Sequence, residues 1–178
     1  MRAQRAARDP IVRAVVVVTL LLHGCGYTLV GRGKSTLPDH ITSIAIPLFT
    51  NQTLEPELEK DITSAIRQQF IRDGRLKVVD KARATAVIEG RLENYVLDPL
   101  AFDRSDRVTQ YRVVIGVHVT VRDLVKNKVL LDQDFSAREE FDVTAAAIGS
   151  REAAKVTSRQ VASRELAGQL LNLILEGF

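Results

Sequence analysis

Residues 111–121 read YRVVIGVHVTV, and every odd position from Tyr111 to Val121 carries an apolar side chain. The even positions include Arg112, His118 and Thr120, and Arg122 follows. Strict alternation places one set of side chains on each side of a strand, so this run demands a sheet with one covered face and one polar face. A second run shows the same parity, with Val129, Leu131, Phe135 and Phe141 against Asp132, Asp134, Arg138 and Glu140. Two such strands in succession predict a hairpin. Same-face pairing requires odd opposite odd, and Leu124 opposite Lys128 satisfies it with the loop Val125, Lys126 and Asn127. Asn127 suits the left-handed position such a loop needs.

The segments around this hairpin supply the covering layer. Leu58, Ile62, Ala65, Ile66 and Phe70 recur at helical spacing, Pro56 sits where a first turn would begin, and Gly74 is placed to cap the end. Glu55, Glu57 and Glu59 fall near the positive end of that helix. A second helical pattern follows Val143, starting at Thr144 or Ser150 and running to Leu175, with a stripe of Ala162, Leu166, Leu170, Leu173 and Ile174. Ile41–Phe49 and Leu76–Val79 have strand character. Ala86, Ile88, Leu92 and Val96 share one strand parity, which Asp98-Pro99 is expected to break before a loop from Asp98 to Gln110. The fold class is α+β, a two-layer sandwich in which two amphipathic helices cover one face of a four- to five-stranded, largely antiparallel sheet.

Upstream of this domain the chain changes character. Arg2, Arg5, Arg8 and Arg13 precede the uncharged run AVVVVTLLL at 14–22. At about 1.5 Å per residue that run covers roughly 13 Å, too little for a hydrocarbon core of about 30 Å. It reads as a secretory leader. The junction Leu22-His23-Gly24-Cys25 resembles a bacterial lipobox, with His23 where a small residue is more usual. That resemblance implies cleavage before Cys25 and acyl chains on Cys25, the sole cysteine. Several chains on one residue suffice for stable anchoring. Gly26, in place of a retention-type aspartate, directs the expectation to the outer membrane, on its periplasmic side. The organisation is then residues 1–24 as cleaved leader, 25–40 as lipidated tether and 41–178 as one domain.

Charge and motif content exclude several chemistries. The chain carries 25 Lys and Arg against 22 Asp and Glu. Residues 1–24 hold four arginines and one aspartate, so 21 of each sign remain after cleavage. The mature chain is formally neutral and offers no basic footprint for nucleic acid. GRGKS at 31–35 lacks the first glycine of a P-loop, since position 28 is Thr28, and Pro38 opposes a helix leaving it. His40 and His118 have no metal-ligand spacing, and no nucleophile motif is present. No catalytic residue, metal site or cofactor is expected beyond the lipid on Cys25. Binding remains. Arg104 and Arg107 in the predicted loop, with Arg112 nearby and Arg151 and Lys155 at the head of the last helix, could take an anionic lipid head group. Ordinary surface charge competes with that reading, because Asp103 and Asp106 neutralise the loop.

The ordered set GCGYTLVGRG, LPDHITSIAIPLFTNQT, FIRDGRLKVVD, ATAVIEGRLENY and TQYRVVIGVHVTVRD is similar to the LPS-assembly lipoprotein family, LptE. The similarity covers nearly all of the mature chain. It implies a non-enzymatic lipoprotein that sits 1:1 as a plug inside the outer-membrane barrel delivering lipopolysaccharide to the outer leaflet, assists its assembly and interacts with lipopolysaccharide. The alternative from the residues alone is a freestanding envelope lipoprotein that scaffolds without a barrel.

Replacing Cys25 by Ala should leave the domain folded but move it from the membrane to the soluble fraction. Fractionation of cells carrying the variant checks this, and a variant that stays membrane-bound contradicts it.

Overall fold

The computed structural model describes residues 37–143, 148 and 150–176. Cys25, the leader and the 25–36 part of the tether lie outside the described residues. The elements run β1 (Ser43–Ala45), β2 (Thr50–Asn51), α1 (Leu58–Asp73), β3 (Lys77–Val78), a 3-10 turn (Lys81–Arg83), β4 (Ala86–Phe102), β5 (Val108–Asp123), β6 (Lys128–Asp142) and α2 (Arg151–Glu176). Two helices pack against a mixed six-stranded sheet of order β3-β1-β4-β5-β6, with β2 joining β4. The three long strands are antiparallel, and the three short ones add in parallel.

The odd row of β5 is the floor of the core. Tyr111, Val113, Ile115, Val117, Val119 and Val121 are all at most 4% exposed. They share one buried cluster with Ile62, Ile66 and Phe70 of α1 and Ala162, Leu166, Leu170 and Ile174 of α2, of which α2 packs on β5 and β6. Leu173, expected in that stripe, is only half-buried, while Ala154, Ala167, Leu171 and Leu175 complete the buried side. Gly74 ends α1 as expected, at φ 74°, with its N–H donated to the Phe70 carbonyl at 3.1 Å. Ser150 begins α2: its Oγ accepts the Ala153 N–H at 3.2 Å, satisfying an otherwise unpaired first-turn donor. At α1 the expectation shifts by two residues. The helix begins at Leu58, after Pro56, and Glu57 takes a left-handed conformation at φ 64°.

Bulges alter the simple parity reading, and besides the two described next β4 slips again around Leu100, between Pro99 and Ala101. On β4, Leu92 pairs with Val117 but Asn94 pairs with Gly116, so Glu93 is an extra residue. Beyond it the core parity switches: Tyr95 and Leu97 face inward opposite Ile115 and Val113, and Val96 faces outward opposite Val114. On β6, Leu131 pairs with Val121 but Val129 pairs with Arg122, leaving Leu130 extra and Val129 on the outer face. The hairpin therefore closes at Asp123–Lys128 around a four-residue loop, not at Leu124–Lys128. Asn127 is left-handed, at φ 49°.

Asp98-Pro99 does not end β4, which continues to Phe102. The reason lies in which amides bond. Leu124 N–H bonds to the Thr85 carbonyl, fixing even-numbered β5 residues as those bonded to β4. Tyr111, the partner of Pro99, is odd. Pro99 thus turns its nitrogen to the open edge, where no donor is needed. The expected loop from Asp98 to Gln110 contracts to Asp103–Arg107 between strands.

Gly90 sits on the core side of β4, opposite Val119. A Cβ built there would lie 2.1 Å from the Phe49 ring, which is 2% exposed. The ring fills the space a side chain would take, and the Phe49 N–H is anchored on Thr63 Oγ1 at 3.0 Å. Gly90→Ala should destabilise the domain by about 1–3 kcal/mol. Denaturant melts check this, and adding Phe49→Ala should cost less than the two single changes together.

Candidate functional site

Three arginines define the predicted lipid-facing set, and the fold places them at two levels. Arg104 and Arg107 share the β4–β5 tip, Asp103–Arg107, and both are exposed. The tip is tightly tied. Asp103 Oδ1 accepts the Ser105 and Arg107 amides at 2.8 and 3.1 Å, and Asp103 N–H bonds to the Arg107 carbonyl at 2.9 Å. Arg107 Nε donates to Asp103 Oδ2 at 2.8 Å. The Arg107 amide, then its guanidinium and the Ser105 amide, hold the Asp103 carboxyl below the usual carboxylate range. Arg107 is therefore half-committed to its own loop, whereas Arg104 has no ion pair among the described residues.

Arg151 is the first residue of α2 and is exposed. Seven residues on, Ser158 Oγ meets Tyr95 Oη at 2.7 Å. Helix rise puts Arg151 about 10 Å beyond that contact, while strand rise puts Phe102 about 23 Å beyond Tyr95. On these rises the tip arginines and Arg151 stand at different levels along the sheet. Lys155 and Arg112 are also engaged. Lys155 Nζ reaches Glu55 Oε2 at 3.1 Å, and Arg112 Nη2 pairs with Glu140 at 2.7 Å across β5 and β6.

Sequence reasoning missed the polar network under α2. Glu55 is 5% exposed and receives both Lys155 and Arg159, the latter at 3.4 Å. Arg159 Nη1 also donates to the Pro56 carbonyl at 3.1 Å, and its Nε faces Asp61 at 3.1 Å. A buried carboxylate needs such partners. The network pins the β2–α1 loop to the second helix across about a hundred residues of sequence. Burial, foremost, raises the Tyr95 hydroxyl above its ordinary 10.0 beside this network.

A second unforeseen pair joins the entry of the domain to the β5–β6 turn. His40 Nε2 and Asp123 Oδ2 are 2.7 Å apart, with the Asp123 side chain 1% exposed. Asp123 Oδ1 also accepts the Val125 and Lys126 amides at 2.8 and 2.9 Å. Burial raises the Asp123 carboxyl, but the Lys126 amide, His40 and the Val125 amide outweigh it and leave the group below its ordinary 3.8. The one legible sign was its parity: Asp123 is odd, on the core side of β5.

On the outer face His118 is clamped between two carboxylates. Its Nδ1 lies 2.6 Å from Asp134 Oδ1 and its Nε2 2.8 Å from Asp132 Oδ1, with Thr120 Oγ1 also on Asp132 at 3.1 Å. A cleft of about 420 Å3 opens beside it, lined by Leu48, Glu89, Arg91 and His118 among others. Glu89 is paired with Lys81 and Arg91 with Glu93. The titratable groups of this cleft thus neutralise one another, and the arrangement suits a surface held in fixed polarity. No group of three or more His, Cys, Asp or Glu side chains that could hold a metal ion occurs among the described residues. No described helix is long and apolar enough to cross a membrane.

The Asp134 hydrogen bond, ahead of Asp132 and against some desolvation, raises His118 above its ordinary 6.5. A raised folded value means the clamp adds stability that is full below about 6.5 and fades as pH rises through the folded value. An Asp132→Asn, Asp134→Asn variant should therefore bring the His118 titration down. NMR titration of the imidazole protons checks this, and an unchanged midpoint contradicts it.

Comparisons place this architecture. A crystal structure of a Xanthomonas campestris protein matches with a TM-score of 0.57 at 9% identity, covering 82% of this chain and 92% of that one. A hypothetical protein of Chlamydia trachomatis matches with a TM-score of 0.52 at 10% identity, over 75% and 98% of the two chains. An uncharacterized lipoprotein B of Nitrosomonas europaea is 20% identical over 78% and 83%, with a TM-score of 0.46. Among curated proteins none matches the sequence. The family model for lipopolysaccharide assembly, LptE, matches residues 41–176. That span takes in every strand and both helices, and the chain belongs to the LptE lipopolysaccharide-assembly family.

Proposed function

We propose that this protein is an outer-membrane lipoprotein, held on the periplasmic side by acyl chains on Cys25, that plugs the barrel of the lipopolysaccharide translocon. It pairs 1:1 with that barrel, assists its assembly and supports insertion of lipopolysaccharide into the outer leaflet. The observation that carries this reading is the family match over residues 41–176. The family acts in assembly, not in catalysis.

The geometry is compatible in two respects. β4 and β5 contain 17 and 16 residues, which at about 3.3 Å each extend on the order of 50 Å, roughly twice the ~25 Å apolar band of an outer-membrane barrel. The exposed sheet face is a lattice of opposed charges, Arg91–Glu93, Arg112–Glu140 and His118 between Asp132 and Asp134. A polar lumen accepts such a face without stripping an unpaired charge of water. Arg104, with Arg107 and Arg151, is assigned to the phosphate-bearing part of lipopolysaccharide, Arg104 foremost because its guanidinium has no ion pair among the described residues.

Detergent extraction followed by capture of this chain should yield an equimolar large β-barrel. Recovery of the chain without a barrel overturns the reading and favours a freestanding scaffold of the envelope. In the same preparation, a variant with Arg104, Arg107 and Arg151 changed to Gln should retain severalfold less lipopolysaccharide, and equal retention removes the arginine assignment.

A further inference from the structure

Every long strand edge in this sheet but one is blocked. The edge of β4 beyond Leu92 carries a bulge at Glu93 and a proline at Pro99, and β3 is two residues long. Bulges, prolines and short strands are the usual protections of open edges. β6 is different. It has 15 residues, contains neither proline nor glycine, and beyond its one bulge at Leu130 its pairing with β5 is unbroken from Leu131 to Asp142. Among the described residues no other strand pairs with it.

The direction of its free amides follows from one hydrogen bond. Val143 N–H donates to the Thr109 carbonyl at 2.9 Å, in the same register as Tyr111–Phe141. Antiparallel pairs alternate, so the odd residues of β6 bond to β5 and the even ones turn N–H and C=O away from it. Asp132, Asp134, Ser136, Arg138, Glu140 and Asp142 therefore present their backbone groups to the open side. Their side chains stand on the polar outer face, and all six are exposed. The charge of this edge is one-sided. β6 holds Lys128 and Arg138 against Asp132, Asp134, Glu139, Glu140 and Asp142, a net of −3 in a mature chain that is neutral.

We infer that β6 is a strand-addition surface, and that its occupant is an extended, basic segment of the barrel partner; this rests on the proposed function above. Main-chain bonds to the six even residues would supply the attachment, and Lys or Arg at alternate positions would meet Asp142 and add to the partners that His118 and Arg112 already give Asp132, Asp134 and Glu140. Charge selects this occupant over a second copy, since two-fold pairing of β6 with itself would set two strands of net −3 side by side. A closed barrel wall has no free edge, so the segment belongs to a loop or flanking region of the partner.

The test exploits the orientation of one amide. Ser136→Pro removes an outward N–H and leaves the bonds to β5 intact, as Pro99 does on β4. The full lipidated chain is captured from detergent extracts as wild type, Ser136→Ala and Ser136→Pro, with thermal melts confirming the fold. Wild type and Ser136→Ala should bring down the barrel, and Ser136→Pro about tenfold less, with wild-type recovery falling as salt rises. Equal recovery with Ser136→Pro overturns the strand proposal and leaves the plug reading standing. Absence of the barrel with wild type overturns both. Should Ser136→Pro fail to fold, amide hydrogen exchange on the wild-type chain decides: the six even amides must exchange freely alone and be protected in the complex. Protection already present in the free chain, or cross-links at position 136 between two copies, overturns the proposal.

Discussion

The fold hangs on the burial of one side of β5. Six alternate side chains of that strand are buried in the core, and β4 and β6 each take their register from it. At about 25 cal/mol per Å2 of apolar surface, burying a valine or isoleucine contributes roughly 1.5–3 kcal/mol before conformational entropy is subtracted. This single row is a continuous apolar surface, every member at most 4% exposed. The helices also pack on each other, and the opposite sheet face is ionic.

That dependence explains what the sequence revealed and what it concealed. β5 is regular along its buried row, so its alternation was readable without any structure. The helices were readable because helical spacing and the ends at Gly74 and Ser150 agree. Its neighbours were misread at the extra residues Glu93 and Leu130, because a parity count cannot detect a bulge when both outcomes place an apolar residue somewhere. Val96 and Val129 are the casualties: both are apolar and both face outward. Pro99 misled for a related reason. A proline breaks a strand only where its amide would have been used, and the sequence does not say which side of a strand is the edge.

The candidate site was less legible. Its arginines could be located, but their partners could not, because Glu55 finds Arg159 and His40 finds Asp123 across 104 and 83 residues. Distances of that kind are properties of the finished fold. The same holds for His118, whose neighbours Asp132 and Asp134 belong to the next strand and were visible only as charges of one parity. The family, in contrast, was legible because ordered segments spread over the domain carry it.

The bulges also govern how the length of this chain can drift. Because each extra residue switches parity while preserving the faces on either side, loss of Glu93 or Leu130 alone would restore plain alternation and keep Tyr95, Leu97 and Leu131 pointing inward. Loss of a residue from the regular stretches between bulges would turn part of the strand inside out. Relatives of unequal strand length should therefore differ by gaps at such bulges, where the reading frame of the sheet tolerates a missing letter.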